Sequence, residues 1–313
     1  MVKKQEPENK FRWGFAAAVV IGLMFLGFII SGFLGISSDE IESGRGNVAL
    51  IKINRVIVGD DEGGFLSGNT ASSSDIVKLI EKAGSNPNIK AIILEINSPG
   101  GSAVASSEIA DAVKKTNKTT VAWIREIGTS GAYWVASSAD YVVANKASIT
   151  GSIGVIASYL EFDGLLDRYN VTYRRLVSGK YKDLGSPFKE MTEEEEKIFQ
   201  KNLDSIRDFF VDEVAKNRKL RKSDVDRIAT GVFYLGGEAK SLGLIDELGG
   251  KQEAIAYIEK KEGIKAEITE YKKEKTLLDI LSKVMSKQSF NVGKGIGSAF
   301  LDARITNKIS ITS

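Results

Sequence analysis

Two serine-bearing segments framed by glycine, Asn97-Ser98-Pro99-Gly100-Gly101-Ser102 and Gly128-Thr129-Ser130-Gly131-Ala132, are of the kind that build acyl-transfer sites. They occur in a chain of 313 residues with no histidine and no cysteine. Without imidazole a Ser-His-Asp triad cannot form, and without thiolate neither can a Cys-His nucleophile nor most structural zinc sites. A serine hydrolase made from these residues needs another base, and a lysine held neutral is the side chain best able to replace imidazole. An ordinary lysine, with a pKa of about 10.4, is free base in only about one molecule in a few thousand at neutral pH. Bringing it near neutrality takes roughly 3 units, or about 4 kcal/mol against the charged form, which burial can supply.

Each segment admits two readings. In Ser98-Pro99-Gly100-Gly101, Pro99 lacks an N–H while the paired glycines let the backbone turn sharply and present amides to an oxyanion. The same residues also suit a tight turn into a helix, with Ser102 near its cap. Ser130 falls where a strand passes into a helix, and amides there favour developing negative charge. The hydrolase elbow needs glycine two residues after the serine, a place held by Ala132. Ser130 as a simple N-cap is the competing reading.

The elements that must position these residues alternate in type. Strands are predicted at 48–58, 89–96, 120–125, 141–144, 153–156 and 171–177. Helices are predicted at 72–83, 102–115, from about 131, and at 192–219, 223–229, up to 242, and 252–262. The near-continuous apolar run 89–96 suits a strand buried on both faces, and repeated strand-helix-strand order favours a parallel sheet in an α/β fold. The 192–219 helix opens on Thr192 and Glu195, spaced as a capping box, and offers Ile198, Ile206, Phe209, Phe210 and Val214 as an apolar face, so its role is packing.

The order and spacing of five segments resemble the signal peptide peptidase A (SppA) family, membrane-anchored serine proteases with a fold related to crotonases and the Clp protease. They are Asn97-Ser98-Pro99-Gly100-Gly101; Gly128-Thr129-Ser130-Gly131-Ala132-Tyr133; Thr150-Gly151-Ser152-Ile153-Gly154-Val155; Ser178-Gly179-Lys180-Tyr181-Lys182-Asp183-Leu184 with Ser186-Pro187; and Gly231 with Tyr234 leading to Leu244-Ile245-Asp246-Glu247-Leu248-Gly249. The resemblance covers most of 48–250. It implies a Ser-Lys dyad with Ser130 as nucleophile and Lys182 as general base, with Lys180 the near alternative that sequence physics alone does not separate. It further implies an oxyanion hole from Gly101 and Gly131, a lysine-orienting hydroxyl on Ser152, and substrate contacts at Thr150, Gly151, Ile153, Gly154 and Val155. Single-length members form homo-oligomeric rings in which serine and lysine come from neighbouring subunits. Asp183, which would hold a lysine charged, is expected to face outward or pair elsewhere.

Ahead of this unit, no residue from 13 to 38 is charged, long enough for the roughly 20 residues of a spanning helix. Lys3, Lys4, Lys10 and Arg12 precede it, which places 1–12 in the cytoplasm and the body outside, as a single-pass protein of the cell membrane. The expected organisation is 1–12 cytoplasmic, 13–38 transmembrane anchor, 39–45 linker, 46–289 protease domain and 290–313 flexible tail. A net charge of +2 gives no sign of a nucleic-acid partner. The acidic residues lack metal-ligand spacing and no phosphate loop is present, so no cofactor or metal is implied. The expected function is a serine endopeptidase for hydrophobic peptides in or near the membrane, remnant signal peptides above all. The alternatives are a related membrane protease acting on a stomatin-like or other membrane protein, and a non-catalytic or acyl-CoA-handling protein of crotonase fold.

Overall fold

The computed structural model describes residues 19–20, 22–24, 46–60 and 70–273. Strand β1 (Val48–Asn54) is followed by β2 (Val56–Val58), β3 (Thr70–Ser72), α1 (Ser73–Ser85), β4 (Ala91–Ser98), α2 (Ala103–Lys115), β5 (Thr119–Thr129) and α3 (Gly131–Ser137). Next come β6 (Tyr141–Ala144), β7 (Ile149–Gly151), α4 (Asp163–Arg168), α5 (Glu193–Arg218) and α6 (Lys222–Ile228). The chain continues through β8 (Phe233–Leu235), α7 (Gly236–Ser241), β9 (Glu247–Leu248), α8 (Lys251–Glu262) and β10 (Ile268–Tyr271).

In the α/β unit Arg45–Lys272, strands β10-β1-β4-β5-β6-β9 lie side by side and parallel. Side chains alternate across such a sheet, so successive apolar residues serve opposite faces. Ile51 and Ile53 of β1 and Leu94 and Ile96 of β4 pack with Ile80, Ile109 and Phe210 from α1, α2 and α5. Val48, Leu50, Ala91, Ile93 and Val121 pack on the other face against Ala254 and Ile258 of α8. Burial on both faces is why these strands read as unbroken apolar runs.

The capping box forms as predicted. Thr192 Oγ1 accepts from the Glu195 amide at 3.3 Å and the Glu195 carboxylate accepts from the Thr192 amide at 3.1 Å. Phe210, Val211 and Val214 are buried, but Phe209 is 64% exposed, because adjacent helical positions lie about 100° apart and only one stripe can face the core. The far end of α5 is tied down by charge. Arg218 donates to both carboxylate oxygens of Asp246 at 2.8 Å and to the Gly243 carbonyl at 3.1 Å. Asp246 also accepts from the Val142 amide at 2.7 Å, and the Tyr133 hydroxyl donates to Leu244 O at 2.8 Å. One buried turn therefore joins α5, β6 and α3.

Several expected strands take other forms. The 48–58 strand is two, broken at Arg55 with φ 75°; β2 then leaves the main sheet to pair with β3. No strand spans 153–156. Extended pairing ends at β7, where Gly151 (φ 77°) and Ser152 (φ 50°) turn the backbone into the left-handed region. No strand forms at 171–177, where every residue is exposed, so alternation there has no sheet face to serve. Strands β8, which pairs antiparallel with β7, and β10, which pairs with β1, were not foreseen, nor was α4.

Of the expected anchor only 19–20 and 22–24 are described, and they are helical. Among the described residues no helix is long and apolar enough to cross a membrane. The expected linker 39–45, the stretch 274–289 and the tail 290–313 lie outside the described residues.

Candidate active site

Strand β5 runs past the end of β6 and pairs through Ile127–Thr129 with β7, carrying Ser130 to the start of α3. Ser130 has φ 52° and ψ −128°, a left-handed φ uncommon for any residue with a Cβ. Its amide donates to Gly151 O at 2.8 Å and its carbonyl accepts from Tyr133 and Trp134. The strain is therefore held from both sides, as at sites where it serves a purpose. Although Ser130 occupies the cap position, its side chain makes no capping hydrogen bond, which removes the N-cap reading. Helix α3 behind it is wholly buried, and Trp134 stacks on Phe210 of α5 at 4.8 Å.

The Ser98-Pro99-Gly100-Gly101 turn satisfies both of its readings. Ser102 caps α2, accepting from the Ala105 amide at 3.4 Å. At the same time Gly101 bridges Ile57 of β2: Ile57 N donates to Gly100 O at 2.8 Å and Ser102 N donates to Ile57 O at 2.9 Å. Because those bonds use the groups on either side of Gly101, its own N–H points away from β2. A Cβ on Gly101 would lie 2.0 Å from Ile57 O, and one on Gly100 (φ 99°) would lie 2.7 Å from Gly131 N. The two glycines thus bring the turn against the first amide of α3, one of the four helix-start donors without an intrahelical partner. A Cβ on Gly131 would lie 3.4 Å from Gly101 N, and one on Gly100 3.0 Å from the Ser130 Cβ, so the turn and the helix start meet beside the serine.

Ser130 opens on a cavity of about 450 Å³, lined also by Ser152, Gly154–Ile156, Arg207 and Ala229–Gly231. Of the predicted substrate contacts, Gly154 and Val155 line it. Thr150 is buried behind it, donating to Gly128 O at 2.8 Å, and Ile153 belongs to the core. Gly151 holds the serine amide instead. Ser152 faces the cavity but donates its hydroxyl to Gly231 O at 3.0 Å. Sequence reasoning missed Arg207, Ala229 and Thr230 as cavity residues. Arg207 sits in a charged helix where nothing in local spacing distinguishes it from solvent-facing neighbours.

Lys182 is exposed and does not line the cavity of its own chain. Lys180 is tied to Glu194 at 2.6 Å and lies 4.9 Å from the Tyr181 ring centre. The Glu194 carboxylate holds its ammonium well above the ordinary lysine range. Asp183 pairs with Arg175, accepting from Nη2 at 2.7 Å, and that guanidinium keeps its carboxyl below the usual range. The carboxylate next to Lys182 in sequence is thus turned to another partner, as anticipated. Among the described residues no group of acidic side chains could hold a metal ion.

Residues 112–265 match peptidase family S49. A relative from Methanocaldococcus jannaschii, named as a protease, is 34% identical over 243 residues, covering 76% of this chain and 77% of the relative. One from Enterococcus faecium, named as a signal peptide peptidase SppA, is 31% identical over 297 residues, or 86% of each chain. Protease 4 of Haemophilus influenzae is 32% identical over 209 residues, 64% of this chain and 34% of that longer protein.

Proposed function

The chain belongs to peptidase family S49 and is a serine peptidase, and on that premise we propose that it is a membrane-anchored endopeptidase using Ser130 and Lys182 on hydrophobic peptides, remnant signal peptides above all. The observation that carries the reading is Ser130 itself, held at a strained helix start with an uncapped hydroxyl on a cavity beside the Gly101 and Gly131 amides. The crotonase/Clp-like fold implied by the sequence resemblance accords with the parallel sheet. The name of the E. faecium relative supports the substrate class, and the uncharged stretch 13–38 supports the anchor.

The chemistry needs no histidine. A neutral lysine takes the Ser130 proton as Oγ attacks the peptide carbonyl, and the amides of Gly101 and Gly131 receive the negative oxygen. The lysine ammonium then protonates the leaving amine, giving an acyl-enzyme ester. Water, deprotonated by the same lysine, then attacks the ester carbonyl, and the lysine ammonium gives that proton to Ser130 Oγ as it leaves.

Because Lys182 lies exposed and outside the cavity of its own chain, the base for each Ser130 comes from a neighbouring subunit of a homo-oligomeric ring. Docking against that neighbour supplies the burial a neutral lysine needs. Exposed apolar side chains in the 156–188 stretch that carries Lys182, among them Leu160 at 69% and Leu176 at 96% exposure, support such a contact surface. Co-expressing Ser130→Ala with Lys182→Ala chains tests this. With the dyad shared between subunits, about one quarter of the sites in randomly mixed rings pair an intact serine with an intact lysine. Peptide hydrolysis should then return to about that fraction of wild type, although each variant alone is inactive. No recovery in rings shown to be mixed would mean that the dyad forms within one chain.

The oxyanion role of α3 makes a separate prediction. A Cβ on Gly131 would meet Ser106 Oγ at 2.2 Å, and Ser106 is fully buried. Gly131→Ala keeps the amide but pushes the helix start aside, so kcat should fall by about 10²-fold. Removing the obstructing hydroxymethyl in the double variant Gly131→Ala/Ser106→Gly should recover a large part of it. Equal kcat for the single and double variants would show that Gly131 matters in some other way.

A further inference from the structure

Arg207 leaves α5 at mid-length and reaches the end of α6. Its Nε donates to Ala229 O at 3.1 Å, and Nη2 meets Asp226 Oδ1 at 2.8 Å and Asp226 O at 3.4 Å. Ala229 is the C-cap of α6, where the last carbonyls lack intrahelical partners and carry the negative end of the helix dipole. A planar guanidinium holds carbonyls at fixed spacing in a way a single ammonium does not. From this clamped point the chain emerges as Thr230 and Gly231, which line the cavity beside Ser130.

The clamped segment is in turn bonded to the segment that holds the nucleophile. Gly231 N donates to Ile153 O and Ser152 N donates to Val232 O, both at 3.0 Å, and Ser152 Oγ donates to Gly231 O. One residue earlier, Gly151 O accepts from the Ser130 amide. Approach between the two walls is tight, since a Cβ on Gly154 would lie 3.2 Å from the Gly231 Cα. Hydrogen bonds and the short chain segments between them therefore lead from Arg207 through Ala229–Val232 and 151–153 to Ser130, and along this path Arg207, Ala229–Gly231, Ser152 and Ser130 line one cavity.

We propose that Arg207 is a positioning residue that fixes the width of this cavity and so the size of the substrate side chain accepted next to the scissile bond. The inference rests on Ser130 being the nucleophile. Without the clamp, Ala229–Gly231 retreats from Ser130 and the cavity admits larger groups.

The test compares two peptides, identical except for Ala or Phe immediately before the cleaved bond, in the full-length protein. Each kcat/KM is divided by the rate at which a small fluorophosphonate labels Ser130. Arg207→Ala should shift the Phe-to-Ala ratio toward Phe by about tenfold, the scale on which pocket fit discriminates side chains. The shift should appear chiefly as a higher KM for the Ala peptide. Arg207→Lys, keeping one donor, should fall between, and Asp226→Asn, which leaves the Ala229 bond, should shift the ratio less. A role confined to general stability would lower both peptides together and leave the ratio unchanged, and that result would overturn the proposal. Where Arg207→Ala does not fold, the same ratio in Arg207→Lys and Asp226→Asn decides. Hydrolysis that persists in Ser130→Ala would instead refute the nucleophile assignment, a separate failure with a separate readout.

Discussion

Ser130→Ala and Lys182→Ala should each lower peptide turnover by at least about 10⁴-fold, the scale seen when a member of a catalytic unit is removed. Lys180→Ala should retain most of it. The two lysines differ in surroundings, not in type. The ammonium of Lys180 is engaged by Glu194 and lies by the Tyr181 ring, contacts that keep it charged. Asp183 meanwhile is drawn off by Arg175, so Lys182 is not bound to its sequence neighbour. Lys182→Arg should be as inactive as the alanine variant at every accessible pH, because a guanidinium does not give up its proton. Size-exclusion profiles and circular dichroism of the variants check that the fold is kept. Near-normal turnover in Lys182→Ala with loss in Lys180→Ala would reverse the assignment of the base.

Asp246→Ala should destabilise the catalytic unit by about 3 kcal/mol, the lower end of the range for breaking a buried pair from one side. The Arg218 side chain is only 7% exposed, whereas Asp246 is 29% exposed. The substitution leaves a guanidinium without its carboxylate and also deprives the Val142 amide of its acceptor. For a unit of this size the midpoint should drop by roughly 6–12 °C in thermal unfolding. Asp246→Asn, which keeps an acceptor for one of the two Arg218 bonds, should lose less. A midpoint within about 2 °C of wild type for the alanine variant would show that the turn is held by its backbone bonds alone.

The sequence made some features plain because their signals are local. The box at Thr192 and Glu195, the apolar run of β4 and the glycine-framed turns each depend on residues within a few positions. What it hid depends on partners far along the chain. The 48–58 run looks continuous, yet it splits at Arg55 because β2 must cross to Gly101. The 153–156 segment looks like a strand, but its Ile153 carbonyl accepts from Gly231 N in place of a sheet neighbour. In the site, Ser130 and the paired glycines carried a spacing that could be recognised, whereas Arg207 did not. Its task is to hold carbonyls at the end of another helix, and carbonyls leave no mark on sequence.

The register of the parallel sheet also sets a length. Val48, where the chain enters the sheet, lies level with Ala91 and Thr119 at one end. Ser130 follows the eleven residues of β5 and stands at the other end, roughly 30 Å away along the strand direction. The nucleophile's place is therefore a matter of register: a slip of β5 by one residue against β4 would carry Ser130 about 3.3 Å along the sheet, past the Gly100-Gly101 turn that it must face.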